Sequence, residues 1–445
     1  MEIDLKIEKL SSDGRGIARH EGIVVFVDKT CPQDEVRVKI VKQNKSYWIG
    51  EVIEILKKSP HRIKPFCPMH NVCGACSLQF IDYNYQLKCK KEMVEDALKG
   101  LNVTVEDVEP SPKSKEFRHK IQYPIRQTQV SKRILAGYFK PKTHDIVNIK
   151  YCPIQPALCD EIIDYIRETA PMYDIEGYDE KKHKGLLRHA VIRSSAKTGD
   201  NLVILVINSN KIPERIKDFS LKLFDRFDKV SGVGVNINNK QTNLIMSDKT
   251  TILYGKEFIK EDLCNLTFLI GANTFFQVNP ESANNIFKFV KNHIKTNFQN
   301  PNILDAYAGI SAFGLVMSDI SNKVVSVEEN KSSVDLVKKV AKMNHIKNIE
   351  LNCEDSGEFF ESLNGKKSFD ITILDPPRKG CDEKTLENAI KITKSQIIYV
   401  SCNPATLGRD LKYLIEKGAK IERIKPFDMF CHTPHIENVA IISVP

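Results

Sequence analysis

The sequence predicts an α/β fold in three parts: an OB-like β-barrel, a central α+β region, and a C-terminal doubly wound parallel sheet. Three observations carry this reading. From residue 266 onward, short apolar runs alternate with amphipathic stretches, as in a parallel sheet covered by helices on both faces. Residues 1–58 hold only short strands at close spacing, broken by Asp13-Gly14 and Glu21-Gly22. Between them, strands and helices mix without strict alternation. The predicted domains are therefore 1–58, 59–265 and 266–445.

In the first unit the strands are Ile3–Leu10, Ile23–Val27, Glu35–Val41 and Trp48–Ile55, with Arg15, Arg19, Lys42 and Lys45 in or near the loops. Such barrels often bind single-stranded nucleic acid. A plain structural barrel is the alternative, because fold alone does not establish function. Residues 57–65 form a basic, proline-punctuated linker, followed by a cysteine-rich knot and a helical stretch from Tyr85 to Leu101. The middle section predicts strands 186–193, 202–208 and 232–238 with helices 156–169 and 213–227. Beyond it, strands are predicted at 302–305, 323–328, 348–352, 369–374, 396–401, 420–425 and 438–444, with helices between.

Hydrophobic content of 41% and charged content of 28% are ordinary for a soluble globular chain. No run approaches the length of a membrane span, and residues 1–9 lack an apolar signal core. A cytoplasmic monomer with no membrane partner is expected. In a reducing compartment the 12 cysteines read as core, catalytic or metal-binding residues rather than disulfides. A net charge of +9 permits a polyanionic partner without demanding one.

Cys402 is the most informative of these cysteines. The run 396–401 is a short strand buried on both faces, and Asn403-Pro404 supplies a cap and a permitted first-turn proline for a following helix. Cys402 thus sits at a strand's carboxyl end, where open α/β sheets place ligands. A nearby helix N-terminus is expected to lower its thiol pKa. Glu437 follows on the last strand as a candidate base.

The turn Asp305–Gly309 after the first strand, and Glu328 at the end of the second, suit an adenosine cofactor whose ribose hydroxyls meet an acid. With a single glycine in that turn, and Asp375-Pro376-Pro377 ending the fourth strand, the pattern points to S-adenosylmethionine, which has no phosphate to cradle.

Asp375-Pro-Pro-Arg-Lys-Gly380, Ser401-Cys-Asn-Pro-Ala-Thr406 and His435-Ile-Glu437 closely resemble the catalytic motifs of the RNA uridine-5 methyltransferases. Phe275–Asn279 and Phe117–Lys120 also look like family segments, and the barrel is similar to the TRAM domain of the rRNA-modifying branch. The resemblance implies a class I, Rossmann-like methyltransferase sheet. It implies Cys402 as the nucleophile that adds to uracil carbon-6, Glu437 as the base that removes the carbon-5 proton, and Asp375 at the cofactor and uracil edge. Gln277, Tyr307, Glu328 and Asp375 are the implied cofactor contacts. An RNA partner follows, 23S rRNA in preference to tRNA. The chain departs from the family pattern at Ala308, Ser311 and Ala312, while Cys431 near the base reads as packing.

Cys67, Cys73 and Cys76, with Cys152 far downstream, form a second constellation. Their uneven spacing fits a cluster better than the paired knuckles of a structural zinc site, which stays open beside free thiols. The resemblance implies a [4Fe–4S] cluster of structural role. His70 inside this loop reads as solvated, and Cys31, Cys89, Cys159, Cys264, Cys353 and Cys381 as core or surface. Arg118, Lys120, Arg188, Arg378 and Lys379 are candidate RNA contacts. The alternatives are a tRNA uridine-5 enzyme, an RNA cytosine-5 methyltransferase, and a non-catalytic RNA-binding protein.

Overall fold

The computed structural model describes residues 1–445. At its N-terminus, strands Glu2–Lys6, Glu35–Gln43, Tyr47–Lys57, Ile23–Val27, Gly16–His20 and Lys9–Leu10 pair in that order. They curl around Leu5, Ile7, Ala18, Val25, Val27, Val36 and Val38. Alternate residues of each strand point inward, which is why the predicted strands are legible as alternating runs.

The central sheet runs in the order Thr250–Gly255, Val230–Ile237, Asn201–Ile207, Leu187–Ser194, Lys120–Gln127, Ile134–Ala136. Strand Asn201–Ile207 is buried along its whole length. Val203, Leu205 and Ile207 face a core shared with helices Ala157–Thr169 and Glu214–Arg226. Leu202, Ile204 and Val206 face the C-terminal unit instead. A strand apolar on both faces is what a sheet sandwiched between two layers requires.

The C-terminal sheet has the order Ile349–Asn352, Lys323–Val327, Asn302–Ala306, Phe369–Leu374, Thr393–Ser401, Glu437–Ser443, Lys420–Phe427. The first five strands are parallel, and Glu437–Ser443 is antiparallel to both of its neighbours. The expectation of a wholly parallel sheet is corrected at this edge. Helices Pro280–Asn297, Ala312–Met317 and Lys331–Met343 cover one face; Ser356–Ser362, Glu383–Ile392 and Pro404–Glu416 cover the other.

The 265/266 boundary falls inside a hairpin, Ile259–Leu263 pairing with Leu266–Ile270, whose apolar residues join the C-terminal core. Helix Tyr83–Ala97 and residues Val105 and Val108 also pack against the C-terminal sheet. Residues 105 and 109 bridge to its edge strand at Ile424 and Phe427. No helix is long and apolar enough to cross a membrane.

Candidate active site

The carboxyl edge of the C-terminal sheet gathers the predicted catalytic residues. Strand Thr393–Ser401 delivers half-buried Cys402, and Asn403 caps the next helix by accepting the Ala405 N–H at 3.1 Å, with Pro404 in the first turn. Ser401 pairs with Asn438 across the antiparallel ladder. Cys402 and Glu437 directly follow and precede this pair, so they lie at the same end of the two strands, near enough for Glu437 to act on the Cys402 thiol. Asn438 Nδ2 donates to the Ser401 carbonyl at 3.2 Å and locks this pairing. On the other side, strand Phe369–Leu374 ends at Asp375, after which the two prolines carry the chain over the edge.

Residues 378–381 are clamped by the helix that follows Cys402. The Arg378 carbonyl accepts from Asn403 Nδ2 and Thr406 Oγ1, each at 3.3 Å. Arg409 donates to the carbonyls of Lys379 and Cys381 at 2.8 and 3.1 Å. Gly380 has φ +73°, and a Cβ there would collide with the Asp410 carboxylate, so the turn requires glycine. The clamp holds Arg378 near Cys402, where its guanidinium favours the thiolate.

Electrostatics at this edge reverse one expectation. Burial pushes the Cys402 thiol up, Glu437 and Asp375 push it further, and Arg378 opposes them. The net push is upward from an ordinary value of 9.0, so the resting residue is a thiol rather than a thiolate. Glu437 is 6% exposed; burial and then Asp375 hold its carboxyl well above the usual range, against Arg378. Burial raises Asp375 to about 7. Carboxyls of this basicity are suited to proton transfer near neutral pH.

The strand order reverses between Asn302–Ala306 and Phe369–Leu374, the switch point where open α/β sheets bind ligands. Asp305, 1% exposed, accepts from Ser311 Oγ and the Gly314 N–H, both at 2.9 Å. Ser311 Oγ also meets Ser326 Oγ at 2.6 Å, so the departure at position 311 places a hydroxyl where it bridges two strand ends. Burial still drives Asp305 up to about 7. Half-buried Glu328 accepts the N–H groups of Gly309 at 2.8 Å and Asn330 at 2.9 Å, which orients its carboxylate at the strand end. Tyr307 has φ +57° and donates its N–H to Ser356 Oγ at 3.0 Å. Gln277 is half-buried in the loop before helix Pro280–Asn297. That loop is tied to the Phe117–Lys120 segment by the His119 N–H donating to the Val278 carbonyl at 2.7 Å. Acids at three strand ends, without a glycine-rich phosphate cradle, fit S-adenosylmethionine better than a dinucleotide.

Away from this edge, Cys67, Cys73, Cys76 and Cys152 line one pocket together with Met69, His70 and Tyr151. Burial pushes all four thiols up, Cys76 and Cys152 to about 12, and neighbouring thiols add to the push on Cys73, Cys76 and Cys152. No three His, Cys, Asp or Glu side chains converge closely enough to hold a single metal ion. A zinc centre, with sulfurs at about 2.3 Å from one point, is therefore not presented. His70, within the turn from Cys67 to Cys73, is half-buried rather than freely solvated, with its Nδ1 buried and without a partner.

The predicted RNA contacts separate. Arg188 is 4% exposed and donates to the carbonyls of Asn238 and Lys240 at 2.6 and 2.8 Å, so it holds a loop and is withdrawn from RNA. Arg118 lies over Tyr138, and Lys120 is pushed down to about 7 by burial, then Arg193 and Arg118. Arg378 and Lys379 are exposed. Sequence reasoning assigns Arg378 to RNA alone and misses its place beside Cys402; its position in Asp375–Gly380, a motif already read as catalytic, is the available signal.

A family model described as tRNA (Uracil-5-)-methyltransferase matches residues 82–443, and a TRAM domain model matches residues 1–53. An uncharacterized RNA methyltransferase of Halalkalibacterium halodurans is 33% identical over 448 residues, covering 99% of this chain and 97% of the relative. One from Clostridium tetani is 33% identical over 445 residues, covering 99% and 96%. The crystal structure of Pyrococcus abyssi tRNA (uracil-54, C5)-methyltransferase in complex with S-adenosyl-L-homocysteine superposes with a TM-score of 0.81 at 28% identity, covering 99% of this chain and 100% of that one. The barrel, the Rossmann-like methyltransferase sheet and the sequence matches agree over almost the whole length: the chain belongs to the tRNA (uracil-5-)-methyltransferase family and carries an N-terminal TRAM domain.

Proposed function

We propose that this chain transfers a methyl group from S-adenosylmethionine to carbon-5 of a uridine in RNA, with Cys402 and Glu437 performing the covalent chemistry. The observation that carries this reading is the antiparallel strand Glu437–Ser443, whose pairing of Asn438 with Ser401 brings the neighbouring Glu437 and Cys402 to one end of the sheet. Uracil carbon-5 is a weak nucleophile. Addition of the Cys402 sulfur to carbon-6 forms a C–S bond and moves the ring electrons into an enolate, which makes carbon-5 nucleophilic. S-adenosylmethionine, when bound, would supply the electrophilic methyl that carbon-5 takes up, with the thioether as the leaving group. Glu437 then takes the carbon-5 proton, the double bond re-forms and the C–S bond breaks, with the bonding pair leaving on sulfur as the Cys402 thiolate.

Cys402 must lose its proton before attack, and Arg378 stands where it stabilises the resulting thiolate. Glu328 would hold the ribose hydroxyls, Gln277 and Tyr307 would flank the cofactor, and Asp375 would lie between cofactor and uracil. The four-cysteine pocket would hold a [4Fe–4S] cluster through Cys67, Cys73, Cys76 and Cys152. The support for this reading is that all four cysteines line one pocket, at the uneven spacing a cluster site uses. Its contribution would be structural, since methyl transfer involves no electron transfer.

The substrate we favour is 23S rRNA, on the resemblance of the barrel and cysteine pattern to the rRNA-modifying branch. A tRNA uridine is a second reading, favoured by the full-length match to a tRNA (uracil-54, C5)-methyltransferase. Purified enzyme, labelled methyl donor and transcripts of both RNAs decide between them. Label should appear at carbon-5 of a uridine in one transcript and vanish with Cys402→Ala while RNA binding persists. No incorporation into either RNA refutes the proposal, and label on cytosine favours the cytosine-5 alternative.

A further inference from the structure

The segment 428–436 connects the last two strands and leads directly into Glu437, yet it contains neither helix nor strand. Within it His432 has φ +61°, a conformation that a non-glycine residue holds only when its surroundings impose it. What imposes it comes from helix Tyr83–Ala97. Tyr83, Gln86 and Lys90 are spaced to form one stripe on that helix, and all three meet the segment. The Lys90 ammonium pairs with the Asp428 carboxylate at 2.6 Å, both side chains fully buried, and donates to the Phe430 carbonyl at 3.1 Å. The Tyr83 hydroxyl donates to the second Asp428 oxygen at 2.8 Å and in turn accepts the Ser111 N–H at 3.0 Å. Gln86 Nε2 lies 3.2 Å from His432 Nδ1, whose other nitrogen meets the Ser114 carbonyl at 2.8 Å. A carbonyl only accepts, so His432 carries its proton on Nε2, while the two Gln86 N–H groups are shared among His432 Nδ1 and the carbonyls of Leu78 and Ile81 at 3.1 and 2.8 Å.

The same segment reaches the cofactor side. Asn279 Nδ2 donates to the Met429 carbonyl at 3.2 Å and Ser282 Oγ to that of Asp428 at 3.2 Å. Asn279 ends the loop that carries Gln277 and caps the helix after it. A buried Lys–Asp pair is a poor route to stability compared with apolar packing, which directs attention to its geometry.

We propose that the stripe Tyr83–Gln86–Lys90, acting through Asp428 and His432, is the positioning element that sets Glu437 for proton removal from carbon-5. This rests on the proposed roles of Cys402 and Glu437. The stripe touches no reacting atom, and the step it serves is elimination rather than addition of the thiol. Its signature is therefore a split between two rates. Displacing Glu437 slows decay of the methylated covalent RNA–enzyme adduct, while Cys402 still forms that adduct.

The test uses the full chain and the transcript that takes label from the wild-type enzyme. Single turnovers are quenched in denaturant, and adduct and released methylated RNA are resolved on a gel. Lys90→Met or Asp428→Asn alone strands a buried charge or its partner and endangers folding. The decisive variants are thus Tyr83→Phe, Gln86→Leu and the paired Lys90→Met/Asp428→Asn. Expected are adduct formation within about twofold of wild type and adduct decay slowed at least about tenfold in the paired variant, with smaller slowing in the single ones. Formation and decay falling in parallel, or decay unchanged in all three, overturns the positioning role while a labelling wild type leaves the function standing. A wild-type enzyme that labels no uridine overturns the proposed function, and the positioning role with it.

Discussion

Replacing Glu437 with glutamine separates chemistry from stability at one residue. The side chain is 6% exposed, and burial with Asp375 beside it holds the carboxyl well above its ordinary value of 4.5. The folded state therefore binds this proton more tightly than the unfolded state does. The associated stability is fully present below about pH 4.5 and is lost as pH rises through the folded value. Glutamine keeps the shape of the protonated acid and cannot ionise, so the variant should melt no lower than wild type at neutral pH. Its chemistry should fail all the same. A positioned general base contributes about 10² to 10⁴ in rate, or about 3 to 5 kcal/mol of barrier, and all of it falls on the elimination step. Methyl transfer precedes that step, so labelled methyl should accumulate on RNA covalently attached to the protein. The assay is a denaturing gel of single turnovers beside a thermal melt. Label released at a rate within about tenfold of wild type, or a clearly lower melting temperature, would refute the reasoning.

Other perturbations test the remaining electrostatics and the cysteine pocket. Arg378→Met removes the cation that opposes the upward push on Cys402, so the rising limb of adduct formation against pH should move to higher pH; a limb that stays in place argues against thiolate stabilisation by Arg378. Asp305 is raised from 3.8 to about 7, so stability associated with it falls as pH rises across that window, by up to about 4 kcal/mol. Asp305→Asn keeps an acceptor for Gly314 and Ser311, and should flatten the dependence of melting temperature on pH between about 4 and 7. Cys152→Ser should lower the iron and acid-labile sulfide content of protein purified without oxygen, and reduce its melting temperature; unchanged iron would remove Cys152 from the ligand set.

How far the sequence can be read depends on the distance over which each feature is determined. Strand Thr393–Ser401 and the Asn403-Pro404 helix start are local, and both are legible in a window of about ten residues. The hairpin at 259–270 is local too, yet it is hidden: its turn is Cys264-Asn265 with φ of 48° and 67°, and no glycine marks the left-handed pair. Strand Lys120–Gln127 is obscured by Pro124. The antiparallel insertion of Glu437–Ser443 has no local signature at all, although it alone brings Cys402 and Glu437 to the same end of neighbouring strands. Lys90 shows the same limit: in a helical pattern it reads as a solvated lysine, and it is fully buried because Asp428 arrives from 338 residues away. The charge state of Cys402 follows from this. The helix N-terminus that favours a thiolate is encoded beside it, whereas the burial and the carboxylates that oppose ionisation come from three different strands. Local pattern thus locates the nucleophile, and the folded sheet decides how strongly it must be activated.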